Sequence, residues 1–303
     1  MRKMLRSLLE LRVMSWARVA IHFWEGARER KRLRSVAEAL GIAVFDLDAL
    51  RALKALKPDA STAFILGTGA SAADLSKQKL EHIQSQFSIG VNQWILHPLV
   101  PDLYAYEVHP DARLLQALDR PEVREKLPYL LFLKPSRPED FSNASHLPEF
   151  MRRKSFLYSR VNIWTRRKSN IGRDFRKIVS SQYSLSSPGV LLDNGASVAR
   201  MIALSVMLGF RKVVLVGVDL SNVEYFWHRK PEILERFGLS TFTTAQKGMV
   251  HETLNAQNRP FAISDYVVAL SVGTNHAELD LLVESKISLL AGLIPVFGES
   301  DPK

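Results

Sequence analysis

From Thr62 onward the chain repeats one alternation: a short, almost wholly apolar run, a polar or helical stretch, then another apolar run. The runs are "TAFILG", "FSIGVN", "LYAYEV", "YLLFLK", "SFLYSRVNIW" and "KVVLVGV". Strands that alternate with helical stretches in this order read as a parallel sheet covered by helices on both faces. Between them "SAADLSKQKL", "DARLLQAL" and "GASVARMIALSVMLG" carry helical patterns, the last closed by Gly209. The expected fold is α/β: a single Rossmann-like domain, its mostly parallel sheet flanked by helices. "LIPVFG" is expected as a last strand. A long polar stretch at 221–262 interrupts the alternation, and an insert of that length after a central strand predicts a lid or substrate loop.

Ahead of the alternation lies a different kind of sequence. "MRKMLRSLLELRVMSWARVAIHFWEG" spaces Leu5, Leu8, Leu9, Val13, Trp16, Val19, Ile21, Phe23 and Trp24 among arginines. This predicts an amphipathic helix, suited to an anionic membrane surface or to packing on its own domain or a neighbouring subunit. "GARERKRLR" reads as linker or helix continuation, and "SVAEALGI" as helix stopped at Gly41. The division expected is 1–58, a basic helical region, and 59–303, the catalytic α/β domain with its lid at 221–262.

Charge narrows the partners. Residues 1–36 carry ten Lys/Arg against three Glu, and residues 151–177 carry ten against one acid. Subtracted from the net +10, these +7 and +9 leave −6 for the remainder, so the excess sits in two patches. Such patches suit phosphates, anionic lipid or an acidic glycan. Neither shows the aromatic spacing of an RNA-binding sheet, so nucleic acid is not the expected partner. With no cysteine, disulfides and thiolate metal sites are excluded, and a reducing, cytoplasmic location is expected. The basic helix leaves open a peripheral position on the inner face of the membrane.

Three stretches could carry chemistry. In "ILGTGAS" a strand runs into Gly67-Thr68-Gly69, with Ser71 placed to cap the next helix. Glycines there permit a tight turn and let a phosphate or ribose approach backbone N–H groups; they also serve plain packing. In "VNQW", Asn92 and Gln93 stand where open sheets place ligands, or cap a turn. The third, residues 193–220, gives a loop with Asn194 and Gly195, a small-residue helix, and a strand ending at Asp219. That acid could hold a ribose hydroxyl or a metal, or cap its own turn.

In this order the three pieces resemble the family 42 sialyltransferases of bacteria. Their Gly-Asn-Gly-Pro-Ser turn is matched by Gly67-Thr68-Gly69-Ala70-Ser71, their Asn-Gln by Asn92-Gln93, and their Ser-Gly loop by Asn194-Gly195. Their "GID" strand end is matched by Gly217-Val218-Asp219, followed at similar distances by Tyr225 and by His251 in "HETLNAQN". The resemblance covers about residues 62–300. It implies an inverting glycosyltransferase that moves an acidic sugar from a CMP-activated donor to a glycan or glycolipid acceptor, as in lipopolysaccharide or capsule synthesis. No metal or other cofactor is implied. Gly67, Thr68, Gly69, Ser71, Asn92, Gln93, Asn194, Gly195 and Asp219 would hold the nucleotide. His251 would act as base toward the acceptor hydroxyl and Tyr225 would donate to the departing phosphate, with His228 the rival histidine. The chain departs from the pattern at Ser221, where the family has a second tyrosine, and at His109-Pro110, where it has Asn-Pro. The arginine the family carries before the Ser-Gly loop is absent from "SPGVLLDNG". The donor is therefore read as a nonulosonate or Kdo-like sugar, sialic acid being one case. Two other readings stand beside it: a hydroxymethylpterin pyrophosphokinase-like diphosphotransferase dependent on Mg²⁺, and a non-catalytic membrane-surface or nucleotide-binding protein. Homo-oligomerisation is left open.

Overall fold

The structure, a computed structural model, describes residues 14–107, 117–135, 138–163, 165, 167–180, 189–193, 195–220, 224–237, 261–273 and 279–298. Among the described residues nine strands form one sheet: β1 (Ala43–Val44), β2 (Thr62–Leu66), β3 (Phe87–Val91), β4 (Leu103–Tyr106), β5 (Tyr129–Leu133), β6 (Ser155–Asn162), β7 (Val190–Asp193), β8 (Lys212–Val216) and β9 (Asp280–Val283). Their order is β1-β6-β5-β4-β3-β2-β8-β9, and β7 pairs with β6. Every pairing among the described strands is parallel. β1 faces Phe156 and Leu157 while β7 faces Ser159 to Asn162, so the two lie in succession along β6.

The parallel sheet read from the order of strands and helices is thus present, and its central strands β2, β3 and β4 are buried at every residue. Alternate residues feed two cores. Ala63, Ile65, Ile89 and Val213 join one, with Ile202 and Tyr266 from helices; Phe64, Leu66, Tyr104 and Val214 join the other, with Trp94 and Trp227. The helices are α1 (Ser15–Leu40), α2 (Leu47–Ala55), α3 (Lys77–Ser85), α4 (Pro121–Lys126), α5 (Pro138–Ser145), α6 (Glu149–Arg153), α7 (Lys168–Ser180), α8 (Ser197–Met207), α9 (Phe226–Arg229), α10 (Glu232–Arg236) and α11 (Ile263–Gly273).

Two local readings change. "SAADLSKQKL" is not one helix but a 3₁₀ turn, Ala70–Asp74, and then α3, which restarts where the Ser76 side chain accepts from Lys79 N at 3.2 Å. "LIPVFG" makes only an isolated bridge, Val296 to Val283; the last strand is the preceding "DLLV". "VLLD", given no element from sequence, is β7, because β6 offers it an open edge. Of the two readings of "GARERKRLR", helix continuation holds: it lies inside α1, which ends at Gly41 with φ 62°. Most of "DARLLQAL" lies outside the described residues.

α1 buries Ser15, Arg18, Val19, His22, Gly26, Leu33, Ala37 and Leu40, one face of the helix, against the domain. The described parts of the expected lid, 224–237 and 261–262, are also packed: Phe226 and Trp227 are fully buried and Phe261 and Ala262 are buried. Residues 221–223 and 238–260 lie outside the described residues. No described helix is long and apolar enough to cross a membrane.

Candidate functional site

Parallel sheets place ligands beyond the carboxyl ends of the strands, where the chain order reverses direction. Here β2 has β3 on one side and β8 on the other, and a cleft of about 250 Å³ opens over those three strand ends. Its wall includes Gly67, Thr68, Gly69, Asn92, Gln93, Gly195, Asp219 and Tyr225, eight of the residues picked out from sequence. Ser71 lies beneath it, bonded to Asp219. Asn194 and His251 lie outside the described residues, as does His109.

The glycines have a concrete reason. A Cβ on Gly67 would lie 2.7 Å from the Gly217 carbonyl oxygen, and one on Gly69 2.5 Å from Asp219 Oδ2. The turns after β2 and β8 are stitched by Gly67 N to Val216 O and Gly69 N to Gly217 O, both 2.7 Å. The near contact is therefore with the neighbouring strand turn, and side chains would force the two turns apart. Asp219 is 4% exposed and accepts Ser71 N–H at 2.8 Å and Ser71 O–H at 2.5 Å. The contacts this acid displays are with the Ala70–Asp74 turn after β2, a partner that none of the readings from sequence supplied.

Two non-glycine residues on the cleft wall adopt left-handed backbone: Asn92 at φ 53° and Leu220 at φ 59°. Asparagine tolerates that region, while leucine is held there at a cost of roughly 1 kcal/mol or more. Tyr104 Oη bonds the Asn92 carbonyl. The strand end before Leu220 is tied down by Leu289 N to Asp219 O (2.9 Å) and Ser288 Oγ to Val218 O (2.6 Å). Strain of this kind persists where surrounding contacts over-determine the backbone, and it concentrates at binding sites.

Sequence reasoning missed a charged network on the far wall. Arg200 on α8, its side chain 1% exposed, donates to Asp193 Oδ1 at 2.8 Å, to Ser197 Oγ at 3.1 Å and to Glu107. Ser197 Oγ reaches Asn92 Oδ1 at 3.1 Å and also bonds Glu107. Asp193, 3% exposed, further accepts Gly195 N–H at 3.0 Å and faces Arg160 at 3.5 Å. A carboxylate so buried is stable only with such partners. Burial first, and then the Asp193 charge, push the Tyr158 and Tyr266 phenols up, so both stay protonated. Arg160 keeps its side chain 53% exposed on the cleft wall. The available signal was an arginine inside the otherwise apolar run "SFLYSRVN", at a position where the strand's burial breaks.

Tyr225 brackets the other side. Gly69 and Tyr225 form a bridge, Phe226 N bonds Thr68 O at 3.1 Å, and the Tyr225 ring stacks on Trp227 at 4.5 Å. His228 does not line the cleft: its Nδ1 accepts Tyr225 N–H at 3.1 Å, capping α9. His97 is a core residue, stacked on Trp94 at 4.2 Å and pushed down to about 3 by burial. Among the described residues no three His, Asp or Glu gather as a metal site.

No protein-family model matches the chain, and no curated protein matches it. Among solved structures, the sialyltransferase CST-II in complex with CMP is similar at 13% identity and TM-score 0.41, over 78% of this chain and 86% of that one. The monofunctional α-2,3-sialyltransferase Cst-I from Campylobacter jejuni is similar at 13% identity and TM-score 0.42, over 78% of this chain and 80% of that one. At that level the likeness assigns neither a residue nor an activity. What the molecule itself defines is the class, an α/β protein with a polar cleft at its strand ends.

Proposed function

We propose that this chain is an inverting glycosyltransferase that takes an acidic sugar from a CMP-activated donor. The observation that supports it is the convergence, in one cleft at the strand-order reversal, of Gly67–Gly69, Asn92, Gln93, Gly195 and Tyr225 with the half-exposed guanidinium of Arg160. The glycine turns let a ligand come close, the amide side chains of Asn92 and Gln93 suit a nucleotide, and an arginine suits the phosphate or carboxylate of such a donor. In the transfer, the acceptor oxygen forms a bond to the anomeric carbon as the bond from that carbon to the phosphate oxygen breaks. CMP leaves with the electron pair, and the acceptor proton goes to a base. His251 is the residue proposed as base and Tyr225 as donor to the leaving phosphate. A lipid-linked or surface glycan is the proposed acceptor.

Isothermal calorimetry with CMP, UMP and ATP tests the nucleotide. CMP should bind with clear preference; equal affinity for UMP, or preference for ATP, overturns the reading. With a CMP-sugar donor, His251→Ala should lower turnover by roughly 10²–10⁴-fold while leaving CMP binding nearly intact. His228→Ala should lower turnover much less, because that imidazole holds the Tyr225 backbone and does not itself line the cleft.

A further inference from the structure

Two of the described tryptophans lie on the outer face of α1. Trp16 and Trp24 are 65% and 62% exposed, whereas Trp94 and Trp227 are fully buried. The two exposed rings share a stripe with Ala20, Ala27, Arg28 and Lys31, all exposed. At 100° per residue these positions fall within one third of the helix circumference, opposite the buried face, and span about 22 Å of its length. Each ring carries a cation: Lys177 of α7 lies 4.3 Å from the Trp16 centroid and Arg28 5.2 Å from that of Trp24. No acidic residue falls on the stripe between Trp16 and Lys31; Glu25 and Glu29 point to the flank and the packed side.

We propose that this stripe docks the protein on an anionic lipid bilayer. Tryptophan favours the boundary between headgroup and acyl chain, and Lys and Arg beside it meet lipid phosphates. The small residues between the rings make the stripe shallow, which fits a planar headgroup layer better than the interdigitated core of a protein interface. The docking also orients the cleft. The His22 ring bonds the Asn162 carbonyl at the carboxyl end of β6, Glu29 bonds Ser159 Oγ at 3.3 Å, and Leu33 lies over Gly189. α1 therefore runs antiparallel to β6, and its Trp16 end stands at the same edge of the sheet as the cleft. Residues 1–12, which precede it, bring Arg2, Lys3, Arg6 and Arg12 against the single Glu10.

The test uses the full chain and sedimentation with two kinds of vesicle: phosphatidylcholine alone, and about three parts phosphatidylcholine to one of phosphatidylglycerol. The chain should bind the anionic vesicles in low salt, release in high salt and ignore the neutral ones. Arg28→Gln with Lys31→Gln should weaken binding by roughly fivefold for each charge removed. Trp16→Ser with Trp24→Ser should abolish the quenching of tryptophan emission by brominated lipid, with an unchanged urea midpoint showing that the fold is intact. The proposal is overturned if the tryptophan pair binds vesicles like the parent, or if neutral vesicles bind equally well. It is also overturned if the pair instead lowers the solution mass of an oligomer or removes affinity for RNA while vesicle binding persists. The docking does not rest on the nucleotide assignment, and calorimetry with CMP on the same variants reads the cleft separately.

Discussion

At the scale of single residues, the cleft is set by contacts too close for any added atom. Gly69→Ala would drive a methyl into the Asp219 carboxylate, and we expect a loss of about 1–3 kcal/mol in urea unfolding, typical of overpacking. Asp219→Asn should cost a similar 1–3 kcal/mol, roughly, because Ser71 then loses a charged acceptor in a buried turn. Both are stability effects and should appear without ligand. Arg160→Gln is the opposite case: its side chain is half exposed and Arg200 still pairs with Asp193, so the unfolding midpoint should hold. CMP affinity should fall about tenfold or more if this guanidinium meets the phosphate. Calorimetry and urea titration on the same protein separate the two kinds of effect. The glycine turn was legible in the sequence as a turn, but which atoms crowd it was not, because Gly217 lies 150 positions away from Gly67.

At the scale of elements, α1 is fastened by chemistry as well as by apolar packing. Arg18 Nε lies 2.5 Å from Asp174 Oδ2 and Ser15 Oγ 2.6 Å from Asp174 Oδ1, with both charged side chains 1% exposed. Removing one partner of a buried pair leaves an uncompensated charge, so Asp174→Asn should cost about 3–5 kcal/mol in urea unfolding. His22, one turn further along, is pushed from 6.5 down to about 4 by burial. The unfolded chain therefore takes up a proton on this imidazole at a higher pH than the folded one. Stability falls as pH drops from 6.5 toward 4, by roughly 2 kcal/mol between pH 7 and pH 5 from this group, with His97 acting in the same direction. His22→Gln should flatten that slope. A helix here was readable from spacing alone; that its arginine at position 18 faces inward to an aspartate on α7 was not, since arginine is ordinarily an exposed residue.

At the scale of the whole molecule, the sheet is one cooperative surface to which the N-terminal elements belong. β1 pairs with β6, and α1 contributes Val19 to one core and Leu33, Ala37 and Leu40 to the other. Deleting residues 1–45 should therefore strip cover from both faces near β6. The truncated chain should aggregate or lose its cooperative thermal transition, as followed by circular dichroism; point variants on the outer stripe should not. The sequence by itself determined that the sheet is parallel and two-faced, because strands that alternate with helices need crossovers long enough to cover the sheet. It also determined that Gly67–Gly69, Asn92, Gln93 and Asp219 stand at strand ends, because a strand's end is a local property of the chain. Only the tertiary structure decided strand order, and with it that β6 and β7 bring Arg160 and Asp193 toward a cleft centred on β2. The Asp193–Arg200–Glu107 network, the Ser71 contact of Asp219 and the Trp16–Lys31 stripe opposite the packed face all depend on that order. Pairing among nine similar apolar runs is settled by non-local packing and loop closure, which no single run encodes.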